Sequence, residues 1–159
     1  MKYKRFEELP VWQDAIELAI RICDLTARQE FKGYYSLKDQ LERAGVSISN
    51  NIAEGFERGT TQETITFLYI SKGSAGESRS VLCLTERLKR FEDLRSEISD
   101  LKLRAESISR QLRGWLDSIQ NTDIKGQRYL TDKGRRAEQI KRERDEFLKE
   151  LEEMRQRRP

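Results

Sequence analysis

Apolar residues recur every three or four positions along most of this chain, with polar residues between them. That period gathers the apolar side chains onto one face of an α-helix. The first run predicts a helix from about Pro10 to Thr26, since proline is tolerated in a first turn. Its stripe is Trp12, Ala15, Ile16, Ala19, Ile22, Cys23 and Thr26, and Leu18 and Leu25 lie off it, so the apolar arc is wide. A loop with Gly33, Tyr34 and Tyr35 follows. Ser36 is then placed as an N-cap, its hydroxyl meeting an unpaired amide of the next turn. The second helix is expected from Leu37 to about Glu57, with Leu37, Leu41, Ala44, Ile48, Ile52 and Phe56 in the core. Gly59 should end it by taking a left-handed conformation.

A third helix starts near Thr60 or Thr61 and runs to about Arg90. Thr60 and Glu63 have the spacing of a capping box. This helix carries two stripes: Leu68, Ala75 and Leu82, and beside them Phe67, Ile70, Ser74, Val81 and Leu88. A helix apolar over so much of its surface must be covered on more than one side, and in a chain this small the second cover is expected to be another subunit. The fourth helix, from Glu92 to Gln120, shows Leu94, Ile98, Leu101, Ala105, Ile108, Leu112, Trp115 and Ile119 at alternating steps of four and three. That spacing suits a long antiparallel contact at a shallow crossing angle. The fold class is therefore all-α: an antiparallel up-and-down four-helix bundle over residues 1–120 with a charged C-terminal helical extension.

The extension, residues 121–159, differs in kind. It holds twelve Lys or Arg against nine Asp or Glu, whereas residues 1–120 hold nineteen of each. Residues 125–144 form a basic linker band of net +5. Thr131 or Asp132 can cap a fifth helix reaching about Arg157, with a narrow seam of Ala137, Ile140, Phe147, Leu148, Leu151 and Met154. Such a seam can meet a partner or the bundle, and the charge around it can equally keep a single helix solvated.

Charged residues make up 37% of the chain and prolines number two, which favours helix throughout. Histidine is absent. The usual proton shuttle and the commonest metal ligand go with it, as does the Glu-x-x-His pair of a di-iron bundle. Two cysteines without histidine cannot make a usual zinc site, and no phosphate loop is present. The expectation is no enzyme and no cofactor. Cys23 and Cys83, among apolar neighbours on separate helices, read as buried reduced thiols, which suits the cytoplasm. No apolar run approaches the roughly 20 residues of a membrane span, and the basic start lacks the apolar core of a secretory signal.

The segment from Ser47 to Phe56, Ser-Ile-Ser-Asn-Asn-Ile-Ala-Glu-Gly-Phe, puts small and polar residues where an ordinary amphipathic helix carries long ones. A mid-helix glycine costs about 1 kcal/mol against alanine, so packing or recognition must offset it. In the packing reading Ser47, Asn51, Gly55, Gly73 and Ala75 let helices approach closely; in the recognition reading Asn50, Asn51 and Glu54 present a polar patch. Together with Phe6, Leu9, Val11-Trp12, Gln40-Leu41, Arg43-Ala44, Phe67-Leu68 and Gly73-Ser74-Ala75, the segment resembles proteins encoded in intervening sequences of bacterial 23S ribosomal RNA genes. The accessory variability determinant proteins of diversity-generating retroelements look like relatives. The resemblance covers roughly residues 6–120 and implies an up-and-down four-helix bundle, ring-like homopentamers and no catalytic residues. The chain departs from the family pattern at Gly76 and Ser78 and in its longer basic extension.

Two functions follow as expectations. The first is nucleic-acid binding to structured RNA or an RNA–DNA intermediate, with a reverse transcriptase as a protein partner. Its phosphate contacts would be Lys125, Arg128, Lys133, Arg135, Arg136, Lys141 and Arg142. The alternative is a homo-oligomeric scaffold without a nucleic-acid role. In either case Phe67, Ile70, Gly73, Ser74 and Val81 are expected at the oligomer interface or in close helix packing. Trp12, Trp115, Phe56 and Phe67 fall on apolar stripes, so Tyr34, Tyr35 and Tyr129, in loops, are the better stacking surfaces for bases.

Overall fold

A computed structural model describes residues 3–120, and within the tail 140, 143–144 and 146–149. The chain divides into two compact units, residues 1–126 and 127–159. The first holds four long helices: α1 (Pro10–Thr26), α2 (Tyr35–Glu57), α3 (Thr61–Arg87) and α4 (Arg95–Gln120). Short 3-10 turns occupy Phe6–Glu8, Gln29–Phe31 and Lys89–Leu94. The described residues contain no strand. None of their helices is long and apolar enough to cross a membrane. In the second unit the described residues are helical, inside the span expected for a fifth helix; Ala137, Leu151 and Met154 of its seam lie outside the described residues.

Helix α1 begins at Pro10, where the missing amide costs nothing, and ends at Thr26 as the pattern predicts. Its buried face is Val11, Ala15, Leu18, Ala19, Ile22, Leu25 and Thr26. The stripe is thus rotated: Leu18 and Leu25 are inside, while Cys23 is exposed and Trp12 and Ile16 are half-buried. The expectation of buried thiols fails accordingly. Both cysteines are free, Cys23 exposed and Cys83 half-exposed. Partial desolvation of the sulfur, with Glu42 and Asp24 nearby, pushes the Cys23 thiol up, so it stays protonated.

Helix α2 starts at Tyr35, before the expected Ser36 cap, and Tyr34 precedes it without a side-chain cap. Ser36 lies inside the first turn. At the other end Arg58 takes an extended conformation with φ −67° and ψ 139°, and Gly59 has no positive φ. Gly33 alone among the described residues has one, at 92°, in the loop before α2. The chain leaves α2 directly into the extended Thr60, which caps α3: its Oγ1 accepts from the Glu63 amide at 3.2 Å and donates to the Glu63 carboxylate at 2.7 Å.

Helices α1 and α2 pack together, as do α2 and α3, α3 and α4, and α1 and α4. Fully buried Leu18, Ile22, Leu41, Ile48, Ile52, Leu68, Leu82, Ile98, Leu101 and Leu112 fill the space between them. On α4 the inner row ends at Leu116, with Trp115 and Ile119 half-buried beside it. At one end Phe31 and Phe91 meet at 4.6 Å between ring centroids, and Tyr34 adds its edge to Phe91 at 5.4 Å.

Helix α3 reaches this core by an unusual route. Its buried row alternates hydroxyls and aliphatics: Thr64, Leu68, Ser71, Ala75, Ser78, Leu82 and Thr85. These steps of four and three make a heptad seam in which every other knob is Ser or Thr. The hydroxyls are spent on backbone. Thr64 Oγ1 donates to the Gly55 carbonyl at 2.8 Å, Ser71 Oγ to the Ile48 carbonyl at 2.8 Å, and Thr85 Oγ1 to the Val81 carbonyl at 2.9 Å. Such small side chains let α2 and α3 approach closely. A Cβ on Gly55 would stand 2.9 Å from Phe67 Cβ, and one on Gly45 would stand 2.9 Å from Ile22 Cδ1.

Ser78 breaks the rule, because its buried Oγ has no hydrogen-bond partner among the described residues. Ser71→Ala should therefore cost about 0.5–1.5 kcal/mol, the net worth of one intramolecular hydrogen bond, whereas Ser78→Ala should be neutral or stabilising. Urea titration of the two variants checks this. Equal losses would show that Ser78 has a partner in solution.

Candidate nucleic-acid interface

The seven basic residues expected to touch phosphate, Lys125, Arg128, Lys133, Arg135, Arg136, Lys141 and Arg142, lie outside the described residues, as does Tyr129. What is described is the four-helix unit, where most basic side chains are tied to carboxylates. Asp100 accepts from Arg21 and, at 3.1 Å, from Arg104, and these bonds hold its carboxyl below the usual range. Arg28 pairs with Glu97 at 2.8 Å, Lys102 with Glu86 at 2.7 Å, and Arg58 with Glu54 at 2.6 Å. Arg79 and Arg110 share Glu106. Arg90 instead donates to the Gln29 and Glu30 carbonyls and so binds the α1–α2 loop to the turn after α3. Exposed pairs of this kind contribute little stability each, but they neutralise the surface. Lys32, Lys72, Arg87 and Lys89 make no ion pair among the described residues.

The small-residue segment resolves mostly into packing. Asn51 Nδ2 donates to the Ser47 carbonyl at 2.7 Å and to Ser47 Oγ at 3.0 Å, and Ser47 Oγ meets Ser74 Oγ at 2.9 Å across α2 and α3. Glu54 is held by Arg58. Of the polar patch Asn50 and the Arg58-paired Glu54 are exposed, Asn50 beside a shallow hollow that Arg43, Val46 and Ser47 also line. Val81 and Ser74 are buried within the chain, and Phe67 is half-buried under the Arg58 guanidinium, 5.0 Å from the ring centroid. Ile70 is 47% exposed. Gly73 needs correcting: it faces outward, and a Cβ there would meet nothing within 4 Å. Within the chain, Gly55 and Gly45 are the close-approach glycines, and Gly73 is not.

Tyr34 and Tyr35 stand at the start of α2, both exposed. They border a cavity of about 430 Å³ whose other wall is Leu84 and Leu88 of α3. Sequence reasoning found the two tyrosines and missed the cavity, because its far wall lies some fifty residues away in the chain.

With this geometry in place, comparison with known families gives a match over residues 7–114 to the 23S rRNA-intervening sequence protein model. The chain belongs to that family. A comparison with curated proteins gives no match. The stretch shared with the 23S rRNA-intervening sequence proteins runs from the first 3-10 turn to within α4, so it contains the ion-paired bundle and stops short of the basic band.

Proposed function

We propose that this member of the 23S rRNA-intervening sequence protein family is a non-enzymatic, homo-oligomeric protein that binds nucleic acid, either structured RNA or an RNA–DNA intermediate. A reverse transcriptase is the protein partner proposed with it, on the resemblance to accessory variability determinants. The observation that carries this reading is the segregation of charge. Residues 1–120 balance to zero, with most cations in ion pairs, and the whole net charge of +3 resides in residues 121–159. A band of net +5 over residues 125–144, multiplied around a ring, favours polyanions.

An antiparallel up-and-down bundle is the arrangement that fits the contacts. Ser47 meets Ser74 while Gly55 meets Thr64, and Arg21 meets Asp100 while Asp14 meets Gln111. In both pairs of helices one number rises as the other falls. A pentameric ring is supported by apolar side chains left outward on α2 and α3, namely Val46 and Ile70. The same side chains favour the second reading, a scaffold that holds proteins alone. Pull-down with and without nuclease separates the two, since partners of the scaffold survive digestion.

The direct test uses the full chain. Binding to RNA should fall linearly with salt on logarithmic axes. Replacing Arg135 and Arg136 together by alanine should weaken binding to all sequences alike and flatten the salt slope by up to about 2, near 1 per lost phosphate contact. An unchanged slope would remove the basic band from the interface.

A further inference from the structure

We propose that the cavity at the start of α2 is a pocket for one unpaired base of a single-stranded nucleic acid, built from residues other than those of the basic band. The proposal rests on the nucleic-acid reading above and adds a place where a base, and not only phosphate, is held.

Four observations converge there. The first is character: an open hollow of about 430 Å³ is lined mainly by aromatic and aliphatic side chains from two helices. The second is an aromatic surface fixed in place. Tyr34 is braced edge-on by Phe91, which itself packs on Phe31, and Tyr35 beside it is 71% exposed. Gly33, at φ 92°, makes the turn that brings both rings to the mouth of the cavity. A tyrosine that is mostly in water, next to an apolar hollow, offers a π-face to a flat ring.

The third observation is unused hydrogen-bonding capacity. The side chains of Ser36 and Gln40 line the same cavity and make no hydrogen bond among the described residues. An amide and a hydroxyl can both donate to and accept from a base edge. The fourth is charge. Lys32 directly precedes Gly33, and Lys89 directly follows Leu88, so each flanks a wall of the cavity in the chain. Neither makes an ion pair among the described residues, while most cations of this bundle do. Apolar walls, an exposed ring, free amide and hydroxyl groups and unpaired lysines next in sequence to lining residues match a nucleotide in strand form. A purely apolar partner would leave the lysines, Ser36 and Gln40 without a role. Bases in a duplex are already stacked and paired, so a double strand could not enter.

The experiment measures binding of full-length protein to three probes of one length at one salt concentration. These are single-stranded oligouridylate, the corresponding abasic ribose-phosphate strand, and a duplex RNA. The chain should prefer the oligouridylate to the abasic strand by about 10-fold, the size of one stacking contact. Tyr35→Ala should abolish that preference while leaving abasic and duplex binding and the salt slope unchanged. Tyr35→Phe, which keeps the ring, should restore it. If oligouridylate and the abasic strand bind equally in the wild type, the pocket is refuted and the basic-band reading stands. If none of the probes binds, the nucleic-acid reading itself fails and this site with it. If Tyr35→Ala instead changes the oligomer mass in light scattering, the cavity is a contact between copies, and the proposal is overturned.

Discussion

Leu101→Ala should lower the unfolding free energy by about 2–5 kcal/mol, with Ile108→Ala in the same range. Both side chains are essentially inaccessible and sit on the inner row of α4, against the seam of α3 and the buried face of α1. The cost has two parts: the apolar area lost, and a cavity that surrounding residues fill only in part. The neighbours favour the upper half of the range. Between Leu68 and Leu82 the inner row of α3 holds Ser71, Ala75 and Ser78, and such short side chains cannot lean across to close a gap. Domains of this size are stable by only about 5–15 kcal/mol, so either variant should shift a urea midpoint clearly. Protein concentration must be held fixed, because oligomer formation adds stability by mass action. A loss below about 1 kcal/mol for both would mean that α4 is not packed as described.

Much of this arrangement is legible in the sequence, and the misses have definite causes. Helix α1 has the expected ends because Pro10 can begin a helix and the polar run after Thr26 cannot continue its apolar face. Leu41, Ala44, Ile48, Ile52 and Phe56 are buried on α2 as the period requires. Errors arise where local chemistry has two solutions. Ser36 is a good cap, but a helix that starts at Tyr35 carries the Tyr34 and Tyr35 rings up to the α3 wall. Gly59 can turn left-handed, yet the chain leaves α2 through an extended Arg58 because Thr60, two residues on, must be extended to cap α3.

The α3 seam is legible only in its aliphatic half: Leu68, Ala75 and Leu82 are buried as the first stripe expects. A count weighted to apolar residues overlooks that Thr64, Ser71, Ser78 and Thr85 recur every seven residues between and beside them. A hydroxyl can satisfy itself on a helix carbonyl, so Ser and Thr in heptad register deserve to be counted as core candidates. That signal was present. For the functional site the sequence offers less. The basic band is visible as composition alone, and an interface with a second copy involves surfaces that no periodicity within one chain can pair. The cavity beside Tyr35 joins residues 33–40 to residues 84–88, a proximity that exists only once α2 and α3 are paired.

Two glycines that look alike in the sequence should give opposite results when replaced by leucine. At Gly55 the new Cβ would stand 2.9 Å from Phe67 Cβ and 3.4 Å from the Thr64 carbonyl. The first neighbour is the root of a side chain and the second is backbone, so neither can swing away. Separating the helices would also break the Thr64 hydroxyl bond to the Gly55 carbonyl. Overpacking costs about 1–3 kcal/mol, and losing that interhelical bond costs about 0.5–1.5 kcal/mol more, the hydroxyl keeping its bond to the Thr60 carbonyl. Against these, leucine recovers somewhat under 1 kcal/mol of helix propensity. Gly55→Leu should therefore lose about 2 kcal/mol or more. At Gly73 a Cβ meets open space, so only the propensity gain remains, and the melting temperature of the isolated fold should hold or rise. Light scattering then gives Gly73 its role. Next to exposed Ile70 and facing outward, a leucine at 73 would obstruct a neighbouring subunit seated on α3, and the particle should become smaller. If both Tm and particle mass are unchanged, this face of α3 is not a subunit contact, and the proposed ring loses its support from α3.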